Sequence, residues 1–499
     1  MATDELLDIV LSGAQDHWSD ANEEACKALF GSKGGRYPDA GKQTITLRAP
    51  DSGDGVRFAA YIHPNNPPSG AYGGMSIAIF PAEDSPCLLT FVVGTGGLSP
   101  DEEILGRPGH ARKVQALCAW LNRAHGHGNL VAWAKQDPTR IDLDIPENVA
   151  RSFAAYKHVF DRYGKVLYAI YAPRDDRAQT RDALNAFLDL MFDERGIDPL
   201  SSAKADAERL RAAWARELTP ELTEVNVVEL LQARRFAVIE GPPGTGKTRM
   251  ARRILADRYD GNGRSIQFHP NITYENFVGG LAPRTSNGSG LSFEPDQGHL
   301  MRAAAAAMSE PSRPYLLHID EINRSDLAKV LGEAIYLLEP NDRDLSSDGA
   351  AAGTTARSVE LPYDFGAPFG RTLRLPQNLH ILGTMNTADR SLAAIDVAVR
   401  RRFAFANLWP QAKVVEDQGD ALMAKAFRDL MLIFIEHARG DAFDLVPGHS
   451  YFLVQTGIDP VVQLQTTLAP LLREYISQGY VGGFAEPIRG YLQWLDSLG

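Results

Sequence analysis

The sequence predicts an α/β fold: a core with a parallel sheet and flanking helices, preceded by a mixed α/β N-terminal domain and followed by a helical lid. Three largely apolar runs, at 236–239, 315–319 and 379–384, predict the core strands. Parallel strands that helices cover on both faces are apolar along their whole length. Each run is followed by glycine, acidic or amide residues. Such residues belong at the carboxyl ends of parallel strands, where α/β sheets bind their ligands.

The first run leads into the sequence GPPGTGKT, which matches the phosphate-loop pattern G-x-x-x-x-G-K-[ST] completely. Its glycines let backbone N–H groups turn toward the phosphates of a nucleotide. Lys247 can reach the β and γ phosphates, and the Thr248 hydroxyl can take one coordination position on Mg²⁺. A helical pattern follows the loop, which favours a true phosphate loop over a chance match. The predicted phosphate-binding residues are Gly241, Pro242, Pro243, Gly244, Thr245, Gly246, Lys247 and Thr248.

Two acidic residues follow the second run, in the sequence HIDEINR. Asp320 is expected to hold Mg²⁺ through its water shell, and Glu321 to polarise the water that attacks the γ phosphate. An acidic pair after an apolar strand is ordinarily a solvated strand end, but the upstream phosphate loop favours the catalytic interpretation. Asn386 lies at the tip of the third strand. Its amide can hydrogen-bond the attacking water or the γ phosphate.

Three consecutive arginines, Arg400, Arg401 and Arg402, end a short helix predicted at 392–399. Cations suit the C-terminal end of a helix, so a solvated helix end is the ordinary interpretation. In a phosphate-loop enzyme, one guanidinium can instead enter the nucleotide site of a neighbouring subunit. There it stabilises the charge of the transition state by a factor of roughly 10³ to 10⁵.

Together these motifs resemble the McrB-type AAA+ motor subunits of modification-dependent restriction systems. The resemblance covers about residues 224–455. It is specific, because five separate motifs occur in the family's order. They read GPPGTGKT, QFHPNITYENFVGG, HIDEINRSDLAKVLGE, MNTADRSLAAIDVAVRRRF and PGHSYF. The resemblance therefore implies an AAA+ phosphate-loop nucleoside triphosphatase (NTPase) fold for this part of the chain.

The resemblance also implies roles for single residues. It makes Asp320 and Glu321 the acidic pair that acts on Mg²⁺ and water, and Asn386 the sensor of the γ phosphate. It adds three polar residues to the nucleotide site, Asn323, Asp389 and Arg390. It assigns the trans-acting role to Arg401 together with Arg402. The implied cofactors are Mg²⁺ and GTP or ATP, with GTP favoured because relatives that carry MNTADR tend to use it.

Partners follow from the same resemblance. It implies a homo-oligomer in the form of a hexameric ring, and a separately encoded McrC-like nuclease subunit. DNA, modified or not, is expected to contact the ring or the N-terminal domain. No catalytic signature outside the nucleotide site can be found in the sequence, so the cutting of a phosphodiester must come from the partner.

Four segments are predicted along the chain. Residues 1–200 form a mixed α/β recognition or interaction domain, and 201–223 a helical connector. Residues 224–410 form the nucleotide-binding core and 411–499 the helical lid. No modified-base-binding fold is recognisable in the first segment, so any target specificity taken from the family is not supported there.

In the lid, apolar residues recur at helical spacing after residue 420. His449 and Ser450 are expected either to line the nucleotide site or to form a structural turn. Two polar segments rich in glycine and serine, 284–290 and 343–358, are predicted loops. In a ring these loops could face the central pore or the partner, and surface insertions are an equal alternative.

Composition bounds the remaining possibilities. The 499 residues are too many for a single compact core, and the formal net charge is −12. Residues 1–200 hold 27 Asp and Glu against 20 Lys and Arg, so the first segment is itself acidic by seven charges. Such a segment is poorly suited to undirected DNA binding, because phosphate neutralisation supplies most non-specific affinity. The sequence has neither a basic N-terminal signal, which would direct secretion, nor an apolar run long enough to span a membrane. We therefore expect a cytoplasmic protein that does not associate with membranes.

The function predicted from these observations is a ring-forming NTP-hydrolysing motor of a McrBC-like DNA restriction system, acting in defence against foreign DNA. One alternative is a protein-remodelling AAA+ chaperone similar to the MoxR type, which would respond to protein where the motor responds to DNA. A second is a nucleotide-switched binding module, which would show little turnover.

Overall fold

The computed structural model describes residues 3–13, 17–31, 35–38, 45–50, 55–62, 66, 72–286, 290–339, 357–388 and 395–498. The chain divides into two compact units. The first comprises Met1–Thr219 with Leu432–Arg439, and the second Pro220–Met431 with Gly440–Gly499. No described helix is long and apolar enough to cross a membrane.

The first unit is built on a six-stranded sheet of order β1-β2-β3-β4-β6-β5, in which every neighbouring pair is antiparallel. Strands β3, β4 and β6 are buried along their whole length, because helices cover both faces of the sheet. The strands are β1 Thr46–Arg48, β2 Ala59–Ile62, β3 Met75–Phe80, β4 Leu88–Val93, β5 Ala132–Ala134 and β6 Leu167–Tyr171.

Side chains alternate between two apolar clusters across this sheet. Ile77, Ile79 and Phe91 point to one face, and Ala78 and Leu88 to the other. The described helices are α1 Asp4–Ser12, α2 Trp18–Phe30, α3 Glu102–Leu105, α4 Pro108–His125, α5 Glu147–Ser152, α6 Lys157–Tyr163, α7 Arg177–Asp193 and α8 Ser201–Ala215. The last of these packs into the core of this unit through Leu210 and Trp214, within the segment 201–223 that the sequence predicts as a connector.

The second unit contains a five-stranded parallel sheet of order β15-β7-β14-β11-β8. The three apolar runs of the sequence form its central strands β7, β14 and β11. The strands are β7 Phe236–Gly241, β8 Gly263–Gln267, β11 Tyr315–Asp320, β14 Leu379–Asn386 and β15 Ala404–Asn407. Their adjacency brings three carboxyl ends together at one edge of the sheet.

Helices cover both faces of this sheet, which explains its continuous apolar runs. Along β7, Phe236 and Val238 join one cluster, and Ala237 and Ile239 the other. The flanking helices are α9 Glu224–Arg234, α10 Lys247–Arg258, α11 Tyr274–Phe277, α12 His299–Ser309, α13 Leu327–Leu331 and α14 Val397–Arg400. The fold class predicted for this region, an AAA+ phosphate-loop core after an α/β region, is confirmed.

Two β-hairpins extend this unit. One pairs β9 Gly279–Ser286 with β10 Gly290–Gln297, and the other pairs β12 Val359–Glu360 with β13 Thr372–Leu373. The predicted loop at 284–290 is therefore wrong for the ends of this segment, which continue strands β9 and β10. The predicted loop at 343–358 lies outside the described residues except for its last two positions.

The C-terminal part is helical, as the spacing of its apolar residues indicates. Its helices are α15 Ala412–Glu416, α16 Ala421–His437, α17 Pro460–Gln463, α18 Ala469–Ser477 and α19 Ala485–Asp496, with a π-helical turn at Leu464–Leu468 and 3-10 turns at Gly440–Leu445, His449–Phe452 and Gly482–Phe484.

Candidate nucleotide-binding site

The phosphate loop joins strand β7 to helix α10. Gly244 and Gly246 adopt φ angles of +79° and +83°, in the left-handed region that favours glycine. Gly246 is the residue before the first turn of α10. The first N–H groups of a helix have no carbonyl partner within it, so they can bind an anion. The loop thus presents the open end of α10 to a phosphate group.

The carbonyl groups of the loop are held from within the chain. The ammonium group of Lys247, which is buried, donates to the carbonyl oxygens of Gly241 at 3.0 Å and Pro242 at 2.6 Å. The Thr245 hydroxyl also donates to the carbonyl of Pro242, at 3.0 Å. These bonds fix the loop backbone and place the lysine charge directly beside the helix end.

Two residues predicted to act on Mg²⁺ are in contact. The Thr248 hydroxyl donates to Oδ1 of Asp320 at 2.8 Å, although the two are 72 residues apart. A hydroxyl and a carboxylate are hard oxygen donors, and Mg²⁺ usually keeps water and substrate phosphates as its other ligands. The pair therefore fits Mg²⁺ of a nucleotide complex, and no cluster of three His, Cys, Asp or Glu side chains occurs in the described ranges to compete with it.

Thr384 completes this group, and the sequence analysis missed it. It lies on β14, is 1% exposed and donates from its hydroxyl to the same Oδ1 of Asp320. Its hydroxyl also accepts from the backbone N–H of Glu321 at 3.4 Å. A signal was available, since Thr384 and Asn386 are two residues apart on a strand and therefore share one face.

Glu321 directly follows β11 and has φ = +53°. A non-glycine residue in this conformation is strained, and such strain persists where the surroundings impose it, often at functional sites. Its carboxylate forms an ion pair with Arg324, in the 3-10 turn Ile322–Arg324. The side chain is 25% exposed, so a water molecule can reach it.

Asn386 ends strand β14, opposite Gly241 in the register with β7. The side-chain amide of Asn323, which is 6% exposed, donates to the backbone carbonyl of Asn386 at 3.4 Å. The polar residues from β11 and β14 thus meet beside the start of the phosphate loop. Asp389 and Arg390, also predicted for this site, lie outside the described residues.

The three arginines at the end of α14 have different environments. Arg400 lies 3.5 Å from the carboxylate of Glu240 and 4.5 Å above the ring of Phe405. Arg401 is exposed. Arg402 is 7% exposed, and its guanidinium donates to the backbone carbonyl of Ala398 one turn earlier.

Burial shifts the pKa values of Arg402 in this turn and of Glu240 on β7. It lowers the pKa of Arg402, to which the nearby charge of Arg401 also contributes. Burial raises the pKa of the Glu240 carboxyl, and the charge of Arg400 partly offsets that increase. Glu240 directly precedes the phosphate loop, so the arginine turn is attached to the strand that carries the nucleotide site.

Comparisons with known proteins identify the same region. Residues 237–403 match the family described as AAA domain (dynein-related subfamily). The chain is 29% identical over 365 residues to the Type IV methyl-directed restriction enzyme EcoKMcrB subunit of Escherichia coli (strain K12), covering 66% of this chain and 75% of that protein. It is 25% identical over 232 residues to the Type II restriction enzyme BsuMI component YdiS of Bacillus subtilis (strain 168), covering 40% and 67%.

Among solved structures, NtrX from Brucella abortus is 14% identical and covers 58% of this chain and 75% of its own, with a TM-score of 0.23. That likeness is too weak to carry an argument. The family match covers the phosphate loop, the acidic pair after β11 and the arginines at the end of α14, and both relatives are described as parts of restriction enzymes. The chain therefore contains a P-loop AAA+ domain and is similar to the McrB-like AAA+ subunits of restriction systems.

Proposed function

We propose that this chain is a ring-forming, NTP-hydrolysing motor that drives a separately encoded nuclease in an McrBC-like DNA restriction system. The observation that carries the proposal is the convergence of Thr248, at the start of α10, with Asp320 and Thr384, near the carboxyl ends of the neighbouring strands β11 and β14. A phosphate loop alone would serve a binding module as well. A carboxylate fixed by two hydroxyls, with a second carboxylate beside it, is an arrangement for hydrolysis.

Each polar residue has a defined task in that reaction. Lys247 and the N–H groups at the start of α10 bind and orient the phosphates. Thr248 and Asp320 would hold Mg²⁺, and the ion would supply positive charge to the phosphates. Glu321 accepts a proton from the attacking water, and Asn386 orients that water or the γ phosphate.

We assign the trans-acting role to Arg401. A guanidinium that enters the nucleotide site of a neighbouring subunit must project from the surface of its own subunit. Arg401 is exposed, whereas Arg402 is buried. Arg400 is engaged by Glu240 and Phe405. In this proposal Arg400 and Arg402 position the turn, and Arg401 stabilises the transition state across the interface of a hexameric ring.

We propose GTP as the preferred nucleotide, on the resemblance of the MNTADR sequence to relatives that use it. Competition of GTP and ATP against a mant-labelled GTP probe tests this preference. GTP should displace the probe at the lower concentration. A clear preference for ATP would overturn this choice of nucleotide without affecting the hydrolytic site.

The second element of the proposal is DNA restriction. Both relatives are described as parts of restriction enzymes. The deciding experiment compares hydrolysis by the purified chain alone, with DNA, and with an unfolded protein substrate. Stimulation by DNA and not by protein supports the restriction motor, whereas stimulation by protein alone would indicate a remodelling chaperone.

A further inference from the structure

The lid segment 447–452, with the sequence PGHSYF, is joined to the phosphate loop by main-chain hydrogen bonds. The N–H of Gly448 donates to the carbonyl oxygen of Pro243 at 2.9 Å, and the N–H of Ser450 donates to the carbonyl oxygen of Gly244 at 3.0 Å. Two successive loop carbonyls are thus satisfied by the lid. The segment is part of the wall of the phosphate site.

The approach of the two backbones depends on glycine at residue 448, and the φ angle of +79° favours glycine at residue 244. A Cβ atom on Gly448 would lie 2.1 Å from the carbonyl carbon and 2.3 Å from the carbonyl oxygen of Gly244. A Cβ atom on Gly244 would lie 2.4 Å from the hydroxyl oxygen of Ser450. Backbone atoms cannot yield to such contacts as a flexible side chain can, so any side chain at residue 448 must push the segment away from the loop.

A hydrogen bond to the backbone of Gln411 orients the side chain of His449. Its Nδ1 lies 3.3 Å from the backbone nitrogen of Gln411 and accepts the N–H. A neutral imidazole that accepts at one nitrogen carries its proton on the other. Nε2 is therefore a donor, and it lies 3.8 Å from the position that a Cβ on Gly246 would occupy. Gly246 is the residue at which the anion-binding end of α10 begins.

The charges around His449 favour an anion at this place. Burial, with contributions from Arg249 and Lys247, lowers the pKa of His449 to about 4. The ring is thus neutral at physiological pH, which agrees with a single donor at Nε2. The same two cations that disfavour a charged imidazole attract a phosphate group.

We propose that the segment 447–452 is a fixed wall of the nucleotide site and that His449 donates from Nε2–H to a phosphate oxygen of the bound nucleotide. The inference rests on the proposed nucleotide site and adds a binding residue from the lid to it. It also connects the lid segment to the phosphates, since the backbone of this segment is hydrogen-bonded to the loop and its histidine would bind a phosphate oxygen.

Two substitutions at His449 distinguish the effect of its N–H donor from the effect of the ring itself. His449→Gln retains an N–H donor near the position of Nε2, whereas His449→Ala removes it. With mant-labelled GTP and ATP as probes, the alanine variant should bind about 10- to 100-fold more weakly, the usual effect of a lost hydrogen bond to a charged group. The glutamine variant should bind within about threefold of the unmodified chain. Both variants lose the ring nitrogen that accepts the N–H of Gln411, so their melting temperatures without nucleotide should fall alike. A merely structural histidine would then weaken nucleotide binding equally in both variants.

Gly448→Ala tests the wall itself, with Gly482→Ala as its matched control. A Cβ atom on Gly482 meets nothing within 4 Å, and this glycine also lies in a turn of the lid. The first variant should lose at least about tenfold in affinity for both probes, and the second should bind normally. Equal affinities for the two variants would contradict the inference.

The His449 variants decide the question if Gly448→Ala fails to fold. Normal binding by His449→Ala, together with lost binding by Lys247→Ala, would overturn the inference and leave the proposed function intact. Normal binding by Lys247→Ala would instead overturn the proposed nucleotide site.

Discussion

At the residue scale, Thr384 helps to hold Asp320, the carboxylate that we propose as a Mg²⁺ ligand. This buried hydroxyl donates to Asp320 from the strand next to it, so Asp320 is held from two sides. Thr384→Val keeps the shape of the side chain and removes the donor. We expect the rate of hydrolysis at saturating nucleotide to fall about tenfold or more, and the Mg²⁺ requirement to rise.

Thr384→Ser is the control for this prediction, because it restores the hydroxyl without the methyl group. Steady-state hydrolysis measured over a range of Mg²⁺ concentrations distinguishes the two variants. Valine and serine variants that are equally active would show that the bond to Asp320 has no part in the reaction.

Glu321 and Lys247 should differ in the step that they affect. Glu321→Gln keeps the size of the side chain and removes the base, so hydrolysis should fall by a factor of roughly 10² to 10⁴ while nucleotide stays bound. Lys247→Ala should lose nucleotide binding itself. Binding of mant-labelled GTP and phosphate release, measured on each variant, separate the two effects, and rapid turnover by the Gln variant would refute the role of Glu321.

The residues found from the sequence are those whose role follows from short motifs. The phosphate loop, Asp320 and Asn386 could be predicted because each lies at the carboxyl end of an apolar strand, where α/β sheets bind their ligands. Thr384, the pairing of Arg400 with Glu240 and the inward turn of Arg402 depend on which strands and turns are neighbours. The spacing of residues along the sequence does not show which strands and turns are neighbours.

At the scale of elements, the turn from α14 to β15 connects a subunit's own nucleotide site to the surface that bears Arg401. Strand β15 pairs with β7, and Arg400 bridges Glu240 on β7 and Phe405 on β15. The ion pair between Glu240 and Arg400 therefore connects the strand before the phosphate loop to the residue next to Arg401.

Removing either partner of this ion pair should misplace Arg401 without harming nucleotide binding. Partly exposed ion pairs contribute up to about 1 kcal/mol, so Glu240→Gln and Arg400→Gln should each lower hydrolysis roughly two- to fivefold. The double variant should lose little more than either single variant, because both remove the same interaction. Fully additive losses in hydrolysis would show that the two side chains act separately.

Continuous apolar runs made the central strands predictable, since burial on both faces leaves a clear pattern. The adjoining ends of strands β9 and β10 were predicted as part of a loop, because the sequence there is polar and rich in glycine and serine. Helix α14 begins at Val397 after a cap by Asp396, whose carboxylate accepts from the N–H of Ala398 at 2.6 Å. The sequence predicted its start five residues earlier, at a position outside the described residues.

At the scale of the whole molecule, the proposed catalysis by an arginine from a neighbouring subunit would make activity depend on assembly. Hydrolysis per subunit should rise with protein concentration until rings have formed. Mixing Arg401→Ala subunits with Glu321→Gln subunits should restore part of the activity, because some interfaces then combine an intact base with an intact arginine. Turnover that is independent of concentration, with no rescue on mixing, would assign Arg401 a role in its own subunit.

The ligand of the first unit could not be predicted, because an antiparallel sheet covered on both faces fits many partners. Fold alone does not determine function. Its excess of acidic residues argues against undirected DNA binding. A local basic groove, a pocket for a flipped base or a protein ligand agrees with that charge.

The central claim is that nucleotide hydrolysis by this chain drives DNA cleavage by a separate nuclease. It is tested most directly by measuring cleavage of modified and unmodified DNA with the purified chain, its candidate McrC-like partner, and both together. We predict cleavage only by the two together with hydrolysable nucleotide, and none when the chain carries Glu321→Gln. Cleavage by this chain alone, or a partner that neither binds it nor stimulates its hydrolysis, would contradict the account.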